Sequence, residues 1–397
     1  MFMGAKDKTA ITLAIIAIIF IVSFALRLAL AYVTINKGIN SNMLDLISQF
    51  KGLSPSTQLQ IYRNLEAYND FKVLYIPWLG LLSKGVAPYV GNNYMVSGGT
   101  SLHYPPLFLY SLLPFYAIGG QLPAAMLIIF ADSLSAVFVY LIATVLSKDM
   151  KTSLLAGFAY ALLPFALVYE GISLLNIEPM LVLVLASLYL MHKKKLLSSA
   201  IVMAFAVGMR QEALFIVPIY ALTLFDGSDR NKSGLKLSAF AFFAVLLAMS
   251  APFLLSNAQS YISALIYANN NSPPSIGQDY ISSSVHISPL FILVPLSLAS
   301  LLLLISLRKK FGDARYEYFG AILIIILVIA FGLWNMVSKY YFLPVYAMLL
   351  ASSKKWQMIA TSFSVSTASL FLQSGWIQEL LPMLVLLALA LMYMKKE

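Results

Sequence analysis

From Thr9 to Tyr32 the chain carries a single charged residue, Arg27, in an apolar run long enough to cross a hydrocarbon core of about 30 Å. The pattern then repeats to the C-terminus, with long apolar runs separated by short basic clusters: SKDMK (147–151), HKKK (192–195), DGSDRNKSG (226–234), RKKFGDAR (308–315), SSKKWQ (352–357) and a terminal KKE. In lipid, backbone polar groups must be satisfied within helices or closed barrels, and runs this long read as helices. Spans fit at 9–32, 122–146, 152–169, 173–191, 196–209, 212–225, 235–255, 287–307, 317–337, 339–351, 357–374 and 377–394. The expected fold is all-α, a polytopic transmembrane helical bundle of about 11–13 spans. It forms one domain, 1–397, with a large first extracytoplasmic loop (34–104) containing juxtamembrane helices and a second outer loop at 256–286.

Charge sets the expected orientation. Lys6 and Lys8 precede the first run, which lacks the short apolar core of a cleavable signal and reads as a retained span with its N-terminus in the cytoplasm. All six basic clusters can then face inward, and both termini with them. The formal charge of +10 is accounted for by this distribution, so no nucleic-acid partner is expected. With no Cys there is no disulfide or thiolate chemistry. The stretch 196–225 would be about 45 Å long as one helix, with Arg210 near its centre, so two short helices meeting at Arg210 are expected. The stretch 105–118 fits either a half-embedded helix or a further span. Arg27 fits a snorkelling side chain or a cationic wall of a site, and Asp132 is costly enough in a span to pack inward.

Function is expected to face outward. The cytoplasmic clusters are short and hold no Gly-rich phosphate loop, whereas the outer side gathers polar residues. The first outer loop is long enough to be functional. Within it, 54–71 has helical spacing that would put Glu66 and Asp70 on one face, and Asn92, Asn93, Gly98 and Gly99 mark a flexible crossing. On the same side lie Tyr169, Glu170, Asn176 and Glu178, then Arg210, Gln211 and Glu212. His286 follows, and then Trp334, Asn335, Lys339, Tyr340 and Tyr341. The three His residues, His103, His192 and His286, are scattered, so no His-based metal site is expected.

DFKVLYIPWLGLLSKGVAPYV (70–90) followed by LHYPPLFLY (102–110) resembles the first outer loop of the GT-C superfamily of polytopic glycosyltransferases, especially mannosyltransferase-like members that use polyprenyl-phosphate sugars. The shared pattern is an Asp followed by an aromatic, a Tyr, a Gly-x-x-Pro-Tyr element and a Tyr-Pro-Pro entry to a helix. Here these are Asp70, Phe71, Tyr75, Gly85, Pro88, Tyr89, Tyr104, Pro105 and Pro106. GMRQEALFIVP (208–218) and SKYYFLPVY (338–346) are similar to later elements of the family, with Lys339 in place of the more usual Arg. No Asp-x-Asp is present, so a metal-binding pair of that kind does not carry over.

The resemblance implies transfer of a hexose, mannose among the candidates, from a polyprenyl-phosphate sugar to a lipid-linked glycan or other extracytoplasmic acceptor, with inversion. Asp70 would be the catalytic base, because an acceptor hydroxyl must lose its proton as it attacks, and Glu66 is the competing carboxylate. Arg210 and Lys339 are candidates for the donor phosphate, where a charge-assisted hydrogen bond strengthens as negative charge develops. His286, Glu178, Tyr104 and Tyr89 are the further donor- or substrate-binding candidates, the tyrosines as stacking faces or members of an interfacial belt. No cofactor is required by the residues, and the need for a divalent cation is left open. Expected partners are the lipid-linked donor, the glycan or lipid-linked acceptor and the bilayer, with the active site of a multi-pass cell-membrane protein on the extracytoplasmic face. Two other functions fit the same residues, a transporter of lipid or lipid-linked glycan and a non-catalytic glycan-assembly subunit.

Overall fold

The computed structural model describes residues 5–37, 70–86, 88–89, 104–217, 232–266, 322, 339–371 and 388. Every regular element among them is helical. They are α1 (Ala5–Lys37), α2 (Ile76–Leu82), α3 (Leu107–Gly119), α4 (Gln121–Ser147), α5 (Met150–Ala161), α6 (Ile177–His192), α7 (Leu196–Met209), α8 (Lys232–Ile266), α9 (Leu343–Ala351) and α10 (Trp356–Phe371). Four stretches are long and apolar enough to cross a membrane: Thr9–Asn36, Gln121–Ser147, Met150–Ile172 and Gly234–Ile262. The protein is therefore an all-α polytopic membrane protein. The spans expected over 287–307, 317–337 and 377–394 lie almost wholly outside the described residues, as do the later part of 212–225 and the stretch 54–69.

Packing contacts fix how the helices run. Ile19 of α1 lies against Gly157 of α5, and Arg27 and Leu30 lie against Gly171, so α1 and the 150–172 segment run parallel. The turn at 148–149 joins α4 to α5, and Asp149 caps α5 by accepting from Lys151 N at 3.3 Å and Thr152 N at 2.9 Å. The turn at 193–195 joins α6 to α7, whose start is locked by reciprocal bonds between Ser187 and Ser199 (Oγ to O, 2.8 and 2.7 Å). These two basic turns lie at one end of the bundle, and the 173–176 connection and Arg210 lie at the other.

Several helices are short for a membrane. α6, with 16 residues, is about 24 Å long, and α9, with 9 residues, is shorter still. Both are almost entirely buried by their neighbours rather than facing lipid. Their length is completed by irregular turns: a π-helical turn at Leu167–Ile172 before α6, a 3-10 turn at Gln211–Ile216 after α7 and another at Lys339–Phe342 before α9. Such backbone is tolerated at membrane depth only inside protein or beside a cavity. The expected break at Arg210 is present, because α7 ends at Met209 and Arg210 is extended (φ −158°, ψ 126°). The residue is fully buried between helix ends.

The structure adds detail at two further stretches. α3 has 13 residues and so rises about 20 Å, too little to span by itself. At the expected start of the second outer loop α8 kinks at Asn257, whose Oδ1 caps the restarting helix through Ser260 N at 3.0 Å, and helix continues to Ile266; the rest of that loop lies outside the described residues.

Arg27 neither snorkels nor lines a site. It is wholly buried, ion-paired through Nε with Asp132 of α4, and its Nη1 donates to the carbonyl of Ala161 at 2.7 Å. α5 ends at Ala161 because Pro164 cannot continue the ladder, and the guanidinium satisfies a carbonyl that this end leaves open. Two opposite charges 105 residues apart thus staple α1, α4 and α5.

Candidate functional site

At the end of the bundle away from the basic turns, five segments distant in sequence meet around Arg210. Its Nε donates to Glu212 at 2.7 Å, its Nη1 donates to Asn176 Oδ1, and its guanidinium lies 5.0 Å from the ring centre of Tyr104, 5.6 Å from Tyr340 and 5.1 Å from Tyr341. Three tyrosine faces and two polar partners keep the cation fixed and charged away from bulk water. The segment 70–75 joins from the other side, where the backbone N–H of Asn176 donates to the Tyr75 hydroxyl at 3.3 Å.

Asp70 precedes the π-helical turn Phe71–Tyr75 and leads through it into α2. The residue is half-buried, and its carboxylate makes no capping bond with the turn it begins. Burial pushes its carboxyl up to about 6, against the opposing pull of the Arg210 charge, so the acid and the cation lie within electrostatic reach of each other. Burial also raises the phenols of Tyr75 and Tyr104, so both remain protonated hydrogen-bond donors at neutral pH.

The aromatic turn is built as a strap. Gly85 (φ 78°) and Tyr89 (φ 67°) both occupy the left-handed region, which is costly for a tyrosine. Tyr89 is held there by edge-on packing against Phe253 and Tyr261 of α8 (ring centres 5.6 and 5.1 Å apart) and by its hydroxyl, which donates to the Tyr104 carbonyl. Tyr104 then leads into α3 through Pro105 and Pro106, where the missing N–H groups cost little. Tyr89, itself buried, therefore positions Tyr104, and Trp78 is wholly buried beneath the same segment. Beside Arg210 a largely apolar cavity of about 430 Å³ opens between α3, α7 and α8, lined among others by Pro106, Tyr110, Gly208, Met249, Phe253 and Tyr261.

Of the residues singled out in sequence, Asp70, Tyr104 and Arg210 come together. Lys339 opens the 3-10 turn that supplies Tyr340 and Tyr341, although its side chain lies outside the described part. Glu66 and His286 lie outside the described residues. Glu178 does not join the cluster as a donor-binding group: it is buried within the bundle, accepting from Tyr160 at 2.9 Å and Ser135 at 3.0 Å. Sequence reasoning assigned no role to Asn176, although its place beside a predicted span entrance was visible. Nor did it anticipate Glu170, which is wholly buried in the π-helical turn with neither carboxyl oxygen hydrogen-bonded, between the fields of Arg27 and Arg210. Among the described residues no three His, Asp or Glu side chains gather as a metal site.

No family model matches the sequence, and no curated protein matches it. Among solved structures, the apo form of the Archaeoglobus fulgidus oligosaccharyltransferase is similar at 15% identity and a TM-score of 0.47, over 96% of this chain and 55% of that one. The chain thus spans about half the length of that protein, and a likeness of this degree establishes neither a shared family nor a shared reaction.

Proposed function

We propose that the protein is a membrane-embedded glycosyltransferase of the GT-C type, transferring a hexose from a polyprenyl-phosphate sugar to a lipid-linked glycan or similar acceptor. The observation that carries this reading is the convergence of Asp70 and Tyr104, from the first-loop motif, on Arg210 and the 339–341 turn, from the two later motif-like patches. These segments share nothing in sequence position that would bring them together by default.

In the proposed reaction the acceptor oxygen attacks the anomeric carbon from the face opposite the phosphate. The bond between that carbon and the phosphate oxygen breaks, and the configuration inverts. Asp70 takes the hydroxyl proton, and the electron pair leaves with the polyprenyl phosphate, whose added negative charge Arg210, together with Lys339, would stabilise. An Asp raised to about 6 suits this task, because it is mostly ionised at neutral pH yet more basic than an ordinary carboxylate. The apolar cavity beside Arg210 suits the first isoprene units of the donor. The basic turns at the opposite end of the bundle favour an extracytoplasmic site by the positive-inside rule.

The test is transfer by the purified protein in lipid, using a panel of radiolabelled polyprenyl-phosphate sugars, for the wild type and Asp70→Asn. The variant keeps shape and loses basicity, so turnover is expected to fall at least ~100-fold with expression and donor binding intact. Undiminished turnover would remove Asp70 as the base. The broken helices at the site also suit a transporter of lipid-linked glycan; that reading predicts substrate movement across the bilayer by wild type and Asp70→Asn alike, with no new glycosidic bond.

A further inference from the structure

We infer that Asn176 and Arg210 together form a preformed two-donor subsite for a phosphate group, with Asn176 a direct ligand of the anion. The inference rests on the reading of Arg210 as the cation that faces the donor phosphate.

Asn176 stands at the N-cap of α6, where an Asn side chain ordinarily accepts from the first turn of the helix, yet here it makes no such bond. Its Oδ1 is instead taken by Arg210 Nη1. That single contact orients both groups: with the oxygen committed, the amide Nδ2 turns away from the guanidinium donor, and Arg210 is left with Nη2 as its open nitrogen. Both Nδ2 and Nη2 are buried and lack any hydrogen-bond partner, and both residues are wholly inaccessible. Unpaired donors in a dry interior are costly, and two on partners in the same hydrogen bond are explained by an acceptor that each would share.

The backbone is shaped to hold this pair. Leu174 adopts the left-handed region (φ 53°), unusual for a Leu, in the short connection between the π-helical turn and α6. The Asn176 N–H is tied to the Tyr75 hydroxyl, which fixes the residue to the Asp70 segment. Glu212 accepts from Nε through one oxygen at 2.7 Å, and its other oxygen, also buried, leaves Nη2 unbonded. The pair thus holds one charged and one neutral N–H donor without a partner beside the positive end of a 16-residue helix, the chemistry that phosphate oxygens take. A lipid phosphate and a free phosphate share that chemistry.

The discriminating variant is Asn176→Asp. It keeps an oxygen for Arg210 to bond, and so keeps any purely structural role, while removing the free amide donor and placing a negative charge where the anion would sit. Binding of farnesyl phosphate, inorganic phosphate and farnesol is measured by calorimetry on the full chain in nanodiscs, alongside thermal melting. Wild type is expected to bind farnesyl phosphate and to prefer it at least tenfold over farnesol. Asn176→Asp is expected to lose at least tenfold for farnesyl phosphate, with its melting temperature unchanged or raised, and Asn176→Ala is expected to weaken binding less. Tighter binding of farnesyl phosphate than of inorganic phosphate identifies a lipid headgroup as the ligand, whereas equal binding identifies free phosphate. The inference is overturned if Asn176→Asp binds as wild type does, or if wild type does not distinguish farnesyl phosphate from farnesol, in which case the two donors hold water only. Transfer assays keep the two readings apart: transfer by wild type with unimpaired Asn176→Asp sinks this inference alone, whereas phosphate binding through Asn176 without transfer from any donor sinks the glycosyltransferase.

Discussion

Replacing Arg27 by Met removes a buried guanidinium that donates to the Asp132 carboxylate and the Ala161 carbonyl at the end of α5, and at longer range to the carbonyls of Ser23 and Tyr160. Asp132 is wholly buried, and its second oxygen has no hydrogen-bond partner, so the ion pair is its compensation. Breaking a buried pair from one side typically costs ~3–5 kcal/mol, mostly for the charge left behind. Asp132→Leu, which strands the guanidinium, is expected to cost a similar amount. The double variant Arg27→Met/Asp132→Leu leaves no charge uncompensated; its main loss is the short bond to the Ala161 carbonyl, a penalty of about 1–3 kcal/mol, since the bonds to the Ser23 and Tyr160 carbonyls are long. The double variant is therefore expected to be more stable than either single variant, with a coupling of several kcal/mol, larger than neighbouring residues usually show. Equilibrium unfolding in mixed micelles, followed by tryptophan fluorescence, measures all four corners of the cycle. Additive losses, with the double variant the least stable, would refute the stapling argument. Loss of glycosyl transfer in a well-folded double variant would return Arg27 to the site.

Two further outcomes follow from the site. If Asp70 is the proposed base, its folded carboxyl at about 6 must be ionised to accept a proton, so kcat/KM is expected to fall as pH drops through about 6 instead of near 4, and Arg210→Met should move that limb higher by removing the opposing charge. The sign for stability is the reverse: the folded form holds this proton more tightly than the unfolded chain, so the Asp70 contribution is most favourable below the unfolded value of 3.8 and declines as pH rises to about 6. A limb near pH 4, unmoved by Arg210→Met, would contradict both. In the cavity, a Cβ on Gly208 would lie 2.8 Å from Met249 Cε and 3.2 Å from Leu107 Cδ2, so Gly208→Val should push the Met249 tip into the space. If the cavity holds the donor lipid as proposed, KM for a long-chain donor should rise about tenfold, while a donor cut to a single isoprene unit is less affected; an equal effect on both would place the lipid elsewhere.

The amino-acid sequence alone determined the class of solvent this chain lives in and where its helices must stop. Hydropathy runs and basic clusters are local signals, and the break at Arg210 was legible because a charge at the centre of an over-long apolar run has few inexpensive solutions. The acid of the candidate site was legible only through its resemblance to a motif, since nothing in local spacing separates Asp70 from Glu66. What tertiary structure alone decided are pairings across the chain. Arg27 and Asp132 were each recognisable as an isolated charge in an apolar run, and opposite signs could have suggested a pair, but neither run says which neighbour it meets. Asn176 looked like one polar residue among many at a span entrance, and Tyr340 and Tyr341 were two more members of the outward-facing set. They became a cage because short helices, screened from lipid by longer ones, end in irregular turns at a common depth, and the open polar groups of those turns must find one another where no water reaches.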